Sequence, residues 1–509
     1  MSKLAIIYSR AQNGIDAPLV RVEVHLSKGL PGLSIVGLPE TAVKESKDRV
    51  RAAILNTHFD FPQQRITINL SPADLPKEGG RFDLPIAIGI LVASGQVAAD
   101  RLKQTEFIGE LSLGGQLRSI TGVLPVAIQA AQHNRVLVVP QSNEAEAALI
   151  SDGVAKIADN LLSVCAWMNH MDDLPTAVMA QVQPETSPAD LADVKGQKQA
   201  KRALEIAAAG AHNLLFIGPP GTGKTMLASR MPSIMPPLTE QQALESAAIT
   251  SISGKGFVIE QWFKPPFRSP HHTASAVALV GGGSNPKPGE ISLSHHGILF
   301  LDELPEFSRH VLEVLREPLE SGKITISRAA RQAEFPAKFQ LIAAMNPCPC
   351  GFLGDREREC TCSRAQIERY RAKVSGPLLD RIDMHVEVSR IPHKQLRMMR
   401  ENIESSHTVK QRVSTARSLQ LQRNKGKPNA QLNNEEMELL LNIPEKHLVM
   451  LENIVEKLKL SARAYHRILK ISRTIADLDG VLEVQKKHLL EAVSYRCLDR
   501  DSGLSQIQI

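Results

Sequence analysis

The sequence predicts an α/β protein with a parallel sheet in its central part and helices at its C-terminal end. Short apolar runs alternate with Gly and Pro turns over residues 1–168, which is typical of mixed α/β structure. Over residues 192–390, the strand-like runs LLFI, ILFLD and FQLIAAM alternate with helical stretches, as in a parallel sheet covered by helices. Beyond residue 391, apolar residues recur at helical spacing, as in ENIVEKLKLSARAYHRILK; this spacing indicates amphipathic helices.

The length of the chain, 509 residues, exceeds what one hydrophobic core usually organises, so several domains are expected. We predict a first domain at 1–168. The polar stretch at 169–191, interrupted by three prolines, is predicted to be a linker;. The sheet-containing core follows at 192–390, and a helical domain occupies 391–509.

Composition favours a cytoplasmic protein. The N-terminus lacks the pattern of a secretory signal;. The uncharged apolar stretch 84–99 is shorter than the roughly 20 apolar residues that span a bilayer, so we expect it to be a buried core helix;. The net charge of +6 is unevenly distributed, because residues 391–430 hold nine Lys and Arg against two Glu. That excess indicates either a surface for a polyanion or a solvated helix face.

A phosphate-binding loop follows the run LLFI and opens a helix. Gly218 is followed by four residues and then by Gly223, Lys224 and Thr225, the pattern that cradles nucleotide phosphates. We expect Lys224 to reach the β- and γ-phosphates of ATP and the Thr225 hydroxyl to bind Mg²⁺. The predicted ATP-binding residues of the loop are Gly218, Pro219, Pro220, Gly221, Thr222, Gly223, Lys224 and Thr225.

Four further residues fit an ATPase. The run GILFLDE ends in Asp302, a second Mg²⁺ ligand, and Glu303, which is placed to polarise the attacking water;. Asn346 ends another strand and would orient that water, or it is a turn residue. Arg381 would reach the nucleotide of a neighbouring subunit, or it forms a surface ion pair with Asp380 or Asp383.

The motifs resemble a known family. GPPGTGKT, FRSPHHT, GGGSNPKPGEISLSHHGILFLDELPEF, AAMNPCPCG and LLDRIDMHVEV are similar to the magnesium-chelatase-like AAA+ proteins of the ComM/YifB type, over nearly the whole chain. The resemblance implies a homohexameric ring ATPase. Such a ring would act like a helicase in branch migration, so that incoming DNA is recombined during natural transformation. Single-stranded or branched DNA and recombination proteins are the implied partners.

The resemblance also assigns roles to individual residues. Lys287 lies in an insert that would face the pore, and Arg328 and Arg331 lie near the tip of a hairpin that would contact DNA. The segment SARAYHRILK resembles the lid element whose arginine senses the γ-phosphate, with Arg463 as the first choice and Arg467 as the second. His271 and His272 are interpreted as structural rather than metal-binding, because adjacent side chains point in different directions.

The first domain is similar to the Lon protease domain (the ribosomal S5 domain 2-like fold) in the segments LPKEGGRFDLPIAIGILVAS and GELSLGGQLRSITGVLP. The Ser/Lys dyad of that family is missing. Arg81 and Phe82 stand near the serine position, and residues 123–125 stand near the lysine position. Without a nucleophile and its base the domain is expected to be inert, a scaffold or partner-binding module.

Four of the six cysteines lie in residues 348–362, as two C-x-C pairs separated by nine residues. We predict that Cys348, Cys350, Cys360 and Cys362 bind a structural Zn²⁺ ion; reactive or unligated thiols are the alternative. Because the phosphate loop follows a different strand, we expect ATP binding to survive the loss of one of these thiols.

An alternative function of another class is compatible with the same ATPase residues. In that alternative the chain is a chelatase-like ATPase subunit that remodels a protein partner without DNA. Stimulation of the ATPase by DNA discriminates between the two.

Overall fold

The computed structural model describes residues 4–150, 153, 155–179, 189–283, 286–328, 331–355, 357–391 and 404–500. The protein is a mixed α/β structure with a parallel-sheet core, as the sequence predicts. Within the described ranges, no helix has both the length and the apolar character that a membrane span requires.

A seven-stranded mixed sheet forms the centre of the first region. In spatial order its strands are Gly32–Val36, Arg65–Ser71, Leu19–Ser27, Leu4–Arg10, Thr105–Phe107, Val136–Pro140 and Ala155–Ala158. Both pairings of Leu19–Ser27 are antiparallel, and the other four are parallel. Buried and less buried residues alternate along Leu19–Ser27, because successive side chains of a strand point to opposite faces. A short hairpin, Glu110–Leu111 with Leu117–Arg118, lies beside this sheet.

Five helices accompany this sheet: Thr41–Asn56, Asp83–Ala93, Val123–Gln132, Glu144–Ala147 and Leu161–Met168. The helix Asp83–Ala93 is the buried core helix that the sequence predicts, although it ends before residue 99. It stops there because Ser94 leads into Gly95, whose φ of +79° is left-handed;. Its Gly89 lies so close to Val24 that a side chain would clash.

The central sheet has five strands, all parallel. In spatial order they are Phe267–Arg268, Ile298–Leu301, Gln340–Met345, Leu214–Ile217 and Met384–Glu387. Every residue of the three middle strands is buried, as expected of parallel strands covered on both faces. The carboxyl ends of these strands therefore meet at one edge of the sheet, and their amino ends meet at the opposite edge.

Short helices and two hairpins surround this sheet. The helices are Lys198–Gly210, Lys224–Ser229, Met231–Ile234, Glu240–Ser253, Ala276–Val280, Glu290–Leu293, Arg309–Val314, Arg316–Ser321, Arg364–Arg371 and Gly376–Leu379. The hairpins pair Gly281–Gly282 with Lys287–Pro288 and Lys323–Arg328 with Arg331–Pro336. The second is the hairpin that the sequence predicts, with Arg328 opposite Arg331.

The C-terminal part is helical, as predicted. Its helices are Ser406–Arg423, Asn434–Leu440, Glu445–Lys457, Ala462–Leu478, Lys486–Ser494 and Cys497–Arg500. They share one hydrophobic core with the central sheet, in which Val409 and Ile475 join Leu214. Arg417 extends this contact by donating to the carbonyl oxygens of Ala208 and Ala209.

The helix Glu240–Ser253 joins the first region to the central one. At its C-terminal end, Ser251 accepts a hydrogen bond from the Gly122 amide through its carbonyl oxygen (3.2 Å) and donates one from its hydroxyl to Glu146 (2.7 Å). Arg81 donates to the Thr121 carbonyl at 2.8 Å. The positions where the sequence lacks a Ser/Lys dyad are therefore adjacent, and they lie beside the docked end of this helix.

The predicted linker is packed at both of its described ends. Ala177 donates to the carbonyl of Ala155 at 2.9 Å, Leu174 is buried, and Leu191 lies in the core of the central region. Residues 180–188 lie outside the described residues.

Candidate nucleotide and metal sites

The phosphate loop lies at the carboxyl edge of the central sheet. Gly218 follows the strand Leu214–Ile217 directly, and a helix begins at Lys224. A Cβ atom at Gly218 would clash with the Val388 carbonyl oxygen of the adjacent chain segment, so the loop requires glycine there;. Gly223 has a φ of +89°, a conformation that side chains disfavour;.

The Lys224 ammonium group is held inside this loop. Its Nζ donates to the carbonyl oxygens of Gly218 (2.7 Å) and Pro219 (2.9 Å) and to Asn346 Oδ1 (3.1 Å). Burial lowers the pKa of Lys224, and the charges of Asp302 and Glu303 oppose that shift. The strand-end amide and the loop lysine, 122 residues apart in sequence, thus meet at one point.

The two predicted Mg²⁺ ligands contact each other. The Thr225 hydroxyl donates to Asp302 Oδ2 at 2.5 Å. Thr225 stands in the first turn of its helix, and Asp302 follows the buried strand Ile298–Leu301. A hydroxyl and a carboxylate oxygen are ligands that Mg²⁺ prefers, so the pair fits the metal.

Glu303 has a partner that the sequence analysis did not assign. Glu303 adopts a left-handed backbone (φ +53°), and its Oε2 lies 3.2 Å from His272 Nδ1. His272 follows the short strand Phe267–Arg268, which is the parallel neighbour of the strand that ends before Asp302. That order of strands is the signal that would have predicted the contact, and it is not visible in the sequence alone.

The four clustered thiols converge. The Cys348 sulfur lies 3.4 Å from that of Cys350 and 3.6 Å from that of Cys360, and the Cys350 amide donates to the Cys362 sulfur at 3.4 Å. The four sulfurs all lie within 4.8 Å of one another. Sulfurs around a tetrahedral zinc ion lie about 3.8 Å apart, given Zn–S bonds near 2.3 Å, so the cluster fits Zn²⁺. Hydrogen bonds, first from the Phe352 backbone, lower the pKa of Cys350 to about 6.

A second cluster, Glu245 with His295 and His296, does not fit a metal. The nearest Glu245 oxygen lies 3.3 Å from His295 Nε2 and 2.6 Å from His296 Nε2. The Lys338 amide donates to His295 Nδ1 at 3.0 Å, so the proton of the neutral ring sits on Nε2 and faces Glu245. Burial lowers the pKa of His295 to about 4. The cluster instead links the helix Glu240–Ser253, through hydrogen bonds, to the amino edge of the central sheet.

The three predicted arginines lie together, away from Lys224. Arg381 pairs with Glu320 rather than with Asp380 or Asp383. Arg463 lies 3.2 Å from Asp380, and Arg467 pairs with Asp383.

The cavity that these arginines line has a volume of about 910 Å³. Its wall includes Asn213, Gly297, Gln340 and Asp383, at the amino ends of the four longest strands of the central sheet. The phosphate loop lies at the other edge, about 13 Å away for a strand of four residues.

The predicted DNA contacts are only partly described. Lys287 is exposed and lies in the short hairpin opposite Gly282, while residues 284 and 285 lie outside the described residues. Arg328 and Arg331 have described backbones but no described side chains, and Ala329 and Ala330 at the tip of their hairpin lie outside the description.

Comparison with known proteins assigns this arrangement to a family. The family model "Magnesium chelatase, subunit ChlI" matches residues 190–396, which contain the phosphate loop, the acidic pair and the thiol cluster. The chain belongs to the magnesium-chelatase-like family. A second model, "Subunit ChlI of Mg-chelatase", matches residues 22–143, and a third, for the ChlI C-terminal part, matches residues 403–496 of this magnesium-chelatase-like protein.

Individual relatives of this magnesium-chelatase-like chain narrow the family. It is 52% identical to the "Competence protein ComM" of Haemophilus influenzae, over 98% of each chain. It is 51% identical to YifB of Salmonella typhimurium, again over 98% of both. The chloroplastic magnesium-chelatase subunit ChlI of Oryza sativa subsp. indica is 23% identical and covers 37% of this chain and 44% of its own length. The magnesium-chelatase-like protein is therefore of the ComM/YifB type.

Proposed function

We propose that the protein is a ring-forming AAA+ ATPase that couples ATP hydrolysis to movement along DNA and promotes branch migration during recombination of incoming DNA. The 52% identity to a competence protein over 98% of both chains supports a competence-related role. The observation that best supports ATPase activity is the meeting of two residue pairs at one edge of the central sheet. Lys224 contacts Asn346, and Thr225 contacts Asp302. Cytoplasmic recombination proteins are the proposed partners.

Each group at this edge has a proposed role. The amides of the phosphate loop and Lys224 would bind the β- and γ-phosphates, and Thr225 and Asp302 would hold Mg²⁺, which when bound withdraws charge from the phosphate oxygens. Glu303 would accept a proton from the attacking water, and Asn346 would orient that water. Lys224 is already aimed inward by Gly218 and Pro219, so little reorganisation is needed when nucleotide binds.

The arginines Arg381, Arg463 and Arg467 are proposed to act on the nucleotide of a neighbouring subunit. They border the amino edge of the sheet, whereas Lys224 of the same chain lies at the carboxyl edge. A side chain cannot bridge the two edges. A homohexameric ring would bring the amino-edge cavity of one subunit onto the phosphate loop of the next.

The remaining regions have proposed supporting roles. Residues 1–168 would be a Lon-like scaffold domain, 169–191 the linker, 192–390 the ATPase core and 391–509 the lid domain. Arg81, at the place of the missing serine, is buried and bonded to Gln12 at 2.9 Å, which supports a structural rather than a proteolytic role. Cys348, Cys350, Cys360 and Cys362 would hold one Zn²⁺, and Lys287, Arg328 and Arg331 would contact DNA.

A chelatase-like ATPase without DNA is the second candidate, and the family models of ChlI subunits favour it. The rate of ATP hydrolysis with no DNA, with single-stranded DNA, with duplex DNA and with a four-way junction tests both. We expect stimulation, strongest with the junction, and none in a Glu303→Gln control. Equal rates under all four conditions would reject the DNA motor and favour remodelling of a protein partner.

A further inference from the structure

The turn that carries the first two thiols lies directly on the phosphate loop. The Gly351 amide donates to the Cys348 carbonyl at 3.0 Å and closes a tight turn. A Cβ atom at Gly351 would lie 2.8 Å from Pro220 Cδ and 3.8 Å from Asn346 Cγ. The turn is therefore packed between the phosphate loop and the strand-end amide. Although the thiols and the phosphate loop follow different strands, they are in direct contact. The expectation that ATP binding survives the loss of one thiol is put to the test below.

A second connection runs through the segment between the thiol pairs. Arg390 lies 3.6 Å from Asp355, whose side chain is 1% exposed, and 3.1 Å from Glu357. Arg390 stands two residues after Val388, whose amide donates to the Ile217 carbonyl at 2.7 Å. The Val388 carbonyl oxygen also lies so close to Gly218 that a Cβ atom there would clash with it. The thiol segment is thus tied to the first residue of the phosphate loop as well as to Pro220.

A third connection passes through Asn346. Tyr370, a buried residue in the helix that follows the thiols, lies near Asn346, whose backbone opposes the rise in the Tyr370 pKa that burial causes. The Asn346 side chain accepts from Lys224 at 3.1 Å. Cys348, which is fully buried, follows Asn346 by two residues. Movement of the thiol segment therefore displaces the group that contacts Lys224.

We infer that the four-thiol cluster is a metal-dependent part of the nucleotide site, so that zinc bound to the cluster sets the affinity of the phosphate loop for ATP. The inference rests on the proposed zinc binding, and it goes beyond a structural role in the DNA surface. Four thiolates around one ion fix the turn at Gly351, and the turn in turn fixes Pro220 and Asn346. Without the ion the sulfurs take up protons, nothing holds the four side chains together, and the turn loosens. The apparent affinity for ATP then falls in proportion to the fraction of molecules whose loop keeps the binding conformation.

The test measures zinc content and ATP affinity on the same preparations. The Glu303→Gln variant is used throughout so that ATP is not consumed. It is examined as purified, after removal of zinc with a zinc-selective chelator, and after addition of zinc alone. We expect one zinc per chain, a loss of ATP affinity of about tenfold after removal, as when about a tenth of the loops stay competent, and recovery on addition. Circular dichroism checks that the stripped protein stays folded.

Two variants distinguish the effect of the contact between Gly351 and Pro220 from the effect of zinc binding itself. Gly351→Ala keeps all four thiols but pushes a methyl group against Pro220, so it should retain zinc and lose ATP affinity. Cys497→Ser removes a thiol outside the cluster, whose partner is the His385 carbonyl, and should change neither. Zinc-loaded and stripped folded protein with ATP affinities within twofold of each other would overturn the inference while leaving zinc binding and the ATPase in place. Metal-free purified protein that binds ATP tightly would overturn both the inference and the proposed zinc site.

Discussion

His272 Nδ1 lies 3.2 Å from Glu303 Oε2, so the carboxylate proposed to activate water is already in contact with a histidine that follows the neighbouring strand. The contact restrains the Glu303 side chain in this conformation, and we expect it to break before Glu303 acts on water.

The first prediction concerns that restraint. His272→Ala should raise ATP hydrolysis without DNA and reduce the further stimulation by DNA, because Glu303 no longer needs to be released. ATP affinity should stay unchanged, since His272 has no contact with Lys224. Steady-state rates with and without junction DNA measure this, with His271→Ala as the matched control. If His272→Ala keeps the wild-type basal rate and the full stimulation by DNA, the proposal that His272 restrains Glu303 is wrong.

The second prediction separates binding from hydrolysis. Glu303→Gln should bind ATP and turn it over very slowly, because Lys224, Thr225 and Asp302 still hold phosphates and Mg²⁺ while the base is gone. Lys224→Ala should lose ATP binding. Equilibrium binding and steady-state hydrolysis distinguish the two variants. Wild-type turnover by Glu303→Gln would exclude Glu303 as the base.

The third prediction is that Arg381 acts on a neighbour. Arg381→Ala should lower hydrolysis by about 10³-fold, the size of effect that arginine fingers have elsewhere, with ATP affinity and assembly retained. Mixing Arg381→Ala with Glu303→Gln subunits should recover activity, because a mixed interface pairs an intact finger with an intact base. If mixed rings of normal size are no more active than either variant alone, the assignment across subunits is wrong.

The fourth prediction follows from Lys470, at the amino-edge cavity. Burial, with Arg467 nearby, lowers the pKa of Lys470 to about 8. A lysine whose pKa is lower in the folded than in the unfolded state destabilises the fold fully below pH 8, and this penalty disappears as the pH rises toward the unfolded pKa near 10.4. Lys470→Met should therefore raise Tm most near pH 7 and progressively less up to pH 9.5. The exposed Lys457→Met is the control, and a pH-independent difference in Tm would contradict the assignment.

The sequence predicts which residues meet at the carboxyl edge, because phosphate and Mg²⁺ binding would restrict both residue type and spacing. Lys224, Thr225, Asp302 and Asn346 meet there, as expected of residues that end neighbouring parallel strands. The hairpin Lys323–Arg328 with Arg331–Pro336 likewise lies where the family resemblance implies it.

Contacts between distant segments were not predictable in the same way. His272 reaches Glu303 only because of the spatial order of the strands, and Gly351 meets Pro220 only because the thiol turn folds back over the loop. The separation of Arg463 and Arg467 from Lys224 depends on how the C-terminal helices pack. Helical periodicity does not encode that packing.

The most direct test of the proposed function is strand exchange in a fluorescently labelled four-way junction incubated with the purified protein and ATP. We expect wild-type protein to move the branch point only when ATP is hydrolysed, with no movement by Glu303→Gln and none with a non-hydrolysable ATP analogue. Wild-type protein that hydrolyses ATP but leaves the junction unmoved, at any protein concentration that saturates the DNA, would contradict a branch-migration motor.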